Sequence, residues 1–456
     1  MTWTDPVAAF REIAGAHPRM FWLDGGGSRG WSGRRSLIGW LEDDGVSLTY
    51  DAARREVLRH SGDSRTRVGA DIFEALGTEL ARDRGDPSVS WVGYFGYACR
   101  PDLPALVDPH ARVPDAMWMR VSDPLVFEHP PVDWVEHRYG GQQPVAADTS
   151  VAFEEYLDGF ERVQEQLRCG NTYEVNLTYR QSVDADVDPV TAYLRLRQLN
   201  PAPYAGYLQH HGTRVLSSSP ERFATVDRHR WVETKPIKGT TPRGATPEED
   251  ALHAQTLRTA PRFRAENLMI VDLLRNDLSM VCEPGTVTVP ELMQVESYAS
   301  VHQLVSTVRA HLRDDVSTVA ALRELFPAGS MTGAPKMRTM EIIAGVETTP
   351  RGVYAGALGW ISGDGRADLG VVIRTLVSVD PSLAPRRAWG PVDAQTARHT
   401  YELGTGGAIT VRSDARSEHE ESVWKSALLL RSVTGAVATP SSGGGGSRGR
   451  TSSGRR

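Results

Sequence analysis

Cysteine is scarce. Cys99, Cys169 and Cys282 are far apart and odd in number. A disulfide framework or a thiolate zinc cage needs more of them at closer spacing, so a reducing, cytoplasmic setting is expected. No run of about 18 apolar residues occurs, so no membrane-spanning helix is expected. The first twenty residues, MTWTDPVAAFREIAGAHPRM, scatter Asp, Glu and Arg among apolar residues. They lack the basic start and apolar centre of a secretory leader. No fixed-period repeat is present. The net charge is −6 and no basic stripe stands out, so nothing points to a nucleic-acid partner.

What is present is an ordinary composition of 456 residues, 40% of them hydrophobic, with ample material for a core. Length alone suggests two or three units, although large α/β enzymes often run longer as one. The polar, turn-rich stretch HRYGGQQPVAADTS (137–150) is the best internal boundary. It separates an N-terminal region, 1–145, from a second region, 150–432. The tail, 440–456, consists mainly of Gly, Ser and Arg and is expected to be disordered, since it has too little apolar surface to offset ordering entropy.

Short strands with Gly-rich turns are expected before 140. In FEEYLDGFERVQEQLRCGN, Phe153, Tyr156, Leu157, Phe160, Val163 and Leu167 follow helical spacing and Gly170-Asn171 end the run. A long helix is predicted from Pro261 through LLRNDLSMV. Gly363-Asp364-Gly365 reads as a hairpin turn and about 417–432 as a final helix. The pattern predicts an α+β fold of mainly antiparallel sheets, packed in a sandwich and flanked by helices.

Several stretches carry chemistry. In KPIKGTTPRG (235–244), Lys238 lies between a β-branched residue and Gly239, where a strand should give way to a turn. It is either a solvated charge or a nucleophile. In SEHEESVWKSALLL, Ser417 with Glu420 has the form of a capping box. Glu418, Glu421 and Lys425 then share one helical face. Paired carboxylates suit a hard divalent cation, or simply a solvated face. Glu266, inside the apolar run ENLMIV, is a possible second ligand or a surface Glu. Gly329, Gly333 and Pro335 break regular structure before Lys336, and such a junction holds anions well. Gly404, Gly406 and Gly407 allow close backbone approach. Arg374 in the apolar run VVIRTL requires an acceptor, either a carboxylate ligand or a structural Asp or Glu. His302, in a strand-like run, reads as a core histidine. Glu221 in SSSPERF, partly desolvated, can act as a general acid.

In this order, SSSPERF, PIKGT, ENLMIVDLLRND, VHQL, FPAGSMTGAPK, VYAGALGW, VIRT, GTGGAI and the final E-x-x-E-x-x-x-K resemble the chorismate-utilising enzymes. The resemblance covers about 150–430 and extends more loosely to GRRSLIG and WVGYFGYAC. It implies an anthranilate synthase component I-like fold. It also bears on Lys238, since anthranilate synthases usually carry Ala there and the aminodeoxychorismate synthase component I branch carries Lys. The implied chemistry has the Lys238 amine add to C2 of chorismate as the C4 hydroxyl leaves. Ammonia then attacks C4 and releases the lysine. An amine must be neutral to attack, and Lys235 is a candidate neighbour.

The resemblance further implies Glu221 as the acid on the leaving hydroxyl and His302 near the reacting ring. It implies Glu266 and Glu421 as Mg²⁺ ligands, with Glu418 beside them or bound through water. Arg374, Tyr354, Gly406 and Gly407 are implied to grip carboxylates, Lys425 to sit beside the metal, and Thr332 and Lys336 to be lesser candidates. Water-adding relatives carry a Lys where this chain has Glu174. Many amine-using relatives carry Gln there, and Glu174 has no implied role. The cysteines do not resemble a glutaminase nucleophile, so ammonia is expected from a separate glutaminase subunit. Ser36 matches a tryptophan-site position, but the acidic pattern of feedback-inhibited enzymes is not evident and strong inhibition is not expected. An anthranilate synthase large subunit and a catalytically silent chorismate-binding subunit remain the alternatives.

Overall fold

The computed structural model describes residues 5–27, 32–130, 148–149, 152–298, 301–379 and 399–435. Most of the proposed boundary at 137–150 and the tail 440–456 lie outside them.

Two antiparallel sheets form the centre. The first runs from Gly333–Ala334 through Glu174–Ala185, His399–Ile409, Thr375–Val379, Thr213–Ser219, Tyr204–His210, Arg19–Asp24 and Arg35–Trp40 to Leu125–Glu128. The second starts at Ile237–Pro242 and Val301–His311. It passes through Trp231–Lys235, Arg222–Val226, Ala367–Val371, Ala357–Ser362, Val89–Phe95 and Ala116–Ser122 to the hairpins of Ser47–Gly69. Strands from before and after residue 140 pair in both sheets. Arg19–Asp24 lies against Tyr204–His210, and Val89–Phe95 against Ala357–Ser362.

Alternation along these strands sends one set of side chains inward. Phe21, Leu208 and Val215 from the first sheet meet Val92, Tyr94, Met117, Met119 and Leu358 from the second. Helices cover the outer faces. Pro6–Ala16, Pro189–Leu199 and Ala415–Thr434 pack on the first sheet. Ile72–Arg82, Pro261–Val281 and Thr318–Leu325 pack on the second.

Local chemistry accounts for the element ends. Gly365, at φ +91°, turns the hairpin between Ala357–Ser362 and Ala367–Val371. The last helix starts earlier than its sequence suggests. Asp414 rather than Ser417 is its cap, and its carboxylate accepts from the Ser417 N–H at 2.9 Å. An ionised cap at a helix N-terminus gains from the dipole as well as the bond, so the helix extends back to Ala415. No described helix is long and apolar enough to cross a membrane.

Leu358 is 3% exposed between the sheets, whereas Val126 is 53% exposed. Leu358→Ala is expected to lower unfolding stability by about 2–5 kcal/mol in urea titration. Val126→Ala should stay within about 0.5 kcal/mol.

Candidate active site

A cleft of about 950 Å³, counted out to its open mouth, lies beside the edge strand Ile237–Pro242. The first sheet contributes Asn176, Gly404, Thr405, Gly406 and Ala408, and the second contributes Lys238 and Gln303. Arg262, Phe263 and Glu266 enter from the helix Pro261–Val281, and Glu418, Glu421 and Lys425 from Ala415–Thr434.

Lys238 sits where the ladder to Val301–His311 slips register, between Ile237 and Thr240. Gly239 takes φ +95° there, and a side chain on it would press on Leu257 and Phe263 at 3.0–3.1 Å. A bulge of this kind re-aims a side chain, and it leaves Lys238 on the cleft wall, 7% exposed. Its ammonium pairs with Glu174, 64 residues earlier in the chain. Glu174 is wholly buried, and its second oxygen has no hydrogen-bond partner among the described residues. Burial pushes the Glu174 carboxyl above its ordinary value, and Lys238 pulls the other way. Lys235 is not the neighbour of Lys238, because its amine lies 3.1 Å from both Glu291 and Glu296.

Glu221 joins the strands Thr213–Ser219 and Arg222–Val226 and is 4% exposed on the cleft wall. The Ser330 hydroxyl donates to it at 2.6 Å. Burial raises its carboxyl to about 7, against the opposing effects of Ser330 and Lys238.

The three candidate metal carboxylates all reach the cleft, with cations among them. Arg262 donates to Glu266 at 3.0 Å and also to Glu418. Lys425 pairs with Glu421 at 2.9 Å and donates to the Gly406 carbonyl at 3.1 Å. Burial, with Glu421 nearby, raises Glu418. Glu421 is held low by Lys425 despite burial. Among the described residues no cluster of three or more His, Cys, Asp or Glu is set out as a metal cage.

Arg374 lines the cleft but does not lie in a strand. It sits between Ala367–Val371 and Thr375–Val379 at φ +49°, a break that a continuous apolar pattern does not reveal. Its guanidinium has no hydrogen bond or ion pair among the described residues, and burial lowers its basicity. Tyr354 and Gly406 also line the cleft, and the Arg180 guanidinium stacks 4.7 Å over the Tyr354 ring. Gly407 faces the carboxylates, since a side chain there would meet Glu418 at 3.4 Å and Lys425 at 3.7 Å.

Besides Gly407, four sequence candidates fall outside the cleft wall. His302 has Asp250 3.0 Å from Nε2 and Ser297 2.8 Å from Nδ1. Strand alternation gives the cleft its neighbour Gln303 instead. Thr332 is buried, and its hydroxyl donates to the carbonyls of Ala328 and Gly329. Lys336 pairs with Asp277 at 2.8 Å and caps the Leu325 carbonyl, so its charge is satisfied. Ser36 bonds with Asp24 and His129 at the far strands of the first sheet. Sequence reading did not pick out Ser330, Asn176, Gln303 or Arg262. Only Arg262 had a usable sign, its i,i+4 spacing to Glu266.

Asp250, which holds His302, is itself held well below the ordinary carboxylate range by Arg243, against burial. A depressed carboxyl stabilises the fold above its unfolded pKa of about 4 and loses that contribution as pH falls through its folded value. Asp250→Asn should therefore lower stability near pH 7 by about 3 kcal/mol and flatten the acid side of the stability–pH curve, as read by thermal melts.

The sequence pattern described as chorismate binding enzyme matches residues 36–431. The chain is 38% identical over 481 residues to an aminodeoxychorismate synthase of Streptomyces pristinaespiralis, covering 95% of this chain but 64% of that protein. It spans 62% of a second such protein, from Streptomyces griseus, so both Streptomyces relatives are substantially longer. An aminodeoxychorismate synthase component 1 of Klebsiella aerogenes is 37% identical over 75% of this chain and 76% of its own. The fold is similar to anthranilate synthase component I from Streptococcus pneumoniae, with a TM-score of 0.70 at 22% identity over 88% of this chain and 93% of that one. The chain belongs to the chorismate-binding enzyme family.

Proposed function

We propose that the chain aminates chorismate to 4-amino-4-deoxychorismate, as the component I activity of an aminodeoxychorismate synthase. One observation carries the reading. A buried lysine amine and a buried carboxyl raised to about 7 line the same cleft. Lys238 is the nucleophile at C2 and Glu221 the acid that protonates the departing C4 hydroxyl. Arg374, whose guanidinium has no ion-pair partner among the described residues, lines a cleft rich in carboxylates and takes a substrate carboxylate. Tyr354 and the Gly406–Gly407 backbone complete the grip.

The donor set of Glu266, Glu418 and Glu421 is all oxygen and fits a hard divalent cation such as Mg²⁺. Glu266 and Glu421 would hold the ion, with Glu418 bound directly or through water. The bare Cα of Gly407 leaves room against Glu418 and Lys425. When bound, Mg²⁺ supplies charge screening for a substrate carboxylate. Arg262 and Lys425 balance these carboxylates in the meantime. His302 and Thr332, off the cleft wall, act as supports for its shape. The name component 1 of the Klebsiella relative supports a second component, which we take to be a glutaminase subunit that supplies ammonia in the cytoplasm. The product would serve p-aminobenzoate formation, for folate or a specialised metabolite.

With chorismate, Mg²⁺ and ammonium, the purified chain should form 4-amino-4-deoxychorismate. Fluorescent anthranilate with pyruvate release would instead support an anthranilate synthase. Lys238→Ala should reduce amination by at least about 100-fold. Glu221 acts while protonated, so formation of the enzyme–substrate adduct should fall roughly tenfold per pH unit above about 7, a limb that Glu221→Gln removes together with most of the rate.

A further inference from the structure

Glu174 has no part in the scheme above, yet it touches the reacting nitrogen. It begins the strand Glu174–Ala185, is wholly buried, and spends one oxygen on Lys238. The other oxygen has no partner among the described residues. A carboxylate placed only as a structural counter-ion would normally satisfy both oxygens, because an unmet buried acceptor is costly. An open oxygen on a buried carboxylate is a place to put a proton.

We infer that Glu174 is the internal proton acceptor of Lys238, holding the resting amine as an ion pair and taking its proton when the lysine attacks. The inference rests on the amination reading and deepens it. At rest the pair is an ammonium and a carboxylate. Transfer of one proton gives a neutral amine and a carboxylic acid. The amine lone pair then forms the Nζ–C2 bond, which leaves that nitrogen as a secondary ammonium, while the two ring double bonds shift and the C4–O bond breaks. The hydroxyl leaves as water with the proton of Glu221. When ammonia bonds to C4, giving the product as its ammonium, the ring double bonds shift back, the C2–N bond breaks and lysine departs as a neutral amine. Glu174 returns its proton, and Glu221 is reprotonated from solvent. Burial, which raises the Glu174 carboxyl, favours the uncharged form of the pair.

Other charged groups face this pair. Glu221 approaches from the strand connection, and Arg262 and Glu266 from the helix Pro261–Val281. Glu421 and Lys425 come from Ala415–Thr434, and Arg374 from the break between strands. Glu221, with its value of about 7, sets a break near neutrality in every variant that retains it. The amide of Glu174→Gln can accept a hydrogen bond but not a proton. This variant should still react, but its lysine must discharge to solvent.

The test is the rate of adduct formation on Lys238, followed by intact mass after quenching, with chorismate and Mg²⁺ and no ammonia. The wild-type rate should be flat from about pH 5.5 to 7, while the Glu174→Gln rate falls roughly tenfold for each unit below neutrality. Parallel profiles would overturn the inference. A second readout needs no variant. With an indicator dye in weak buffer, the wild-type chain should take up one proton per adduct, the proton that turns the leaving hydroxyl into water. If the lysine proton went to solvent instead, the net uptake would be zero, which would equally overturn it. A wild-type chain that forms neither adduct nor ammonia-dependent product would remove the amination reading itself, and the role of Glu174 with it.

Discussion

A buried ion pair between Lys238 and Glu174 is the constraint on which the rest of the site depends. Its partners come from different sheets, one at the start of Glu174–Ala185 and the other on the bulged edge strand Ile237–Pro242. The two sheets must therefore close over one another before either charge has a partner. Such pairs are poor stabilisers, because desolvation takes back much of what their attraction supplies. Their retention here is better explained by chemistry than by stability. The chain contains only four lysines, at 235, 238, 336 and 425, against a large excess of arginine. All four are ion-paired with carboxylates. Arginine is never neutral under ordinary conditions and cannot serve as an amine nucleophile.

The cleft wall places its groups in contrasting surroundings. Glu221 is buried with one hydroxyl donor and rises to about 7, where a carboxylic acid can give up a proton near neutrality. Glu421, with Lys425 one helical turn on, stays low and remains charged. Two carboxylates of one cleft are thus driven apart in acidity by burial and by neighbouring charge. One suits proton transfer and the other suits binding a cation. The helix Ala415–Thr434 sets the second role, since its start at Asp414 fixes which turn presents Glu418 and Glu421.

Much of this was legible in the sequence, for identifiable reasons. The helices with clear 3.6-residue spacing and the hairpin at Gly363–Gly365 lie where periodicity and turn chemistry put them. The motif order brought Lys238, Glu221, Glu266, Arg374, Tyr354, Glu418, Glu421 and Lys425 into a single cleft. His302 and Thr332 were harder, because the direction of a side chain in an irregular strand or loop depends on a register that sequence does not state. The pairing of Glu174 with Lys238 was invisible, since nothing local to either residue announces a contact across 64 positions. The positive φ of Arg374 was hidden in the same way within an apolar run.

The most direct measurement is peptide mapping of the chain after rapid quenching with chorismate and Mg²⁺. The account predicts a chorismate-derived mass on the peptide containing Lys238, and none on the peptides of Lys235, Lys336 or Lys425. Turnover of chorismate with ammonium, unaccompanied by modification of Lys238 at any quench time, would contradict it.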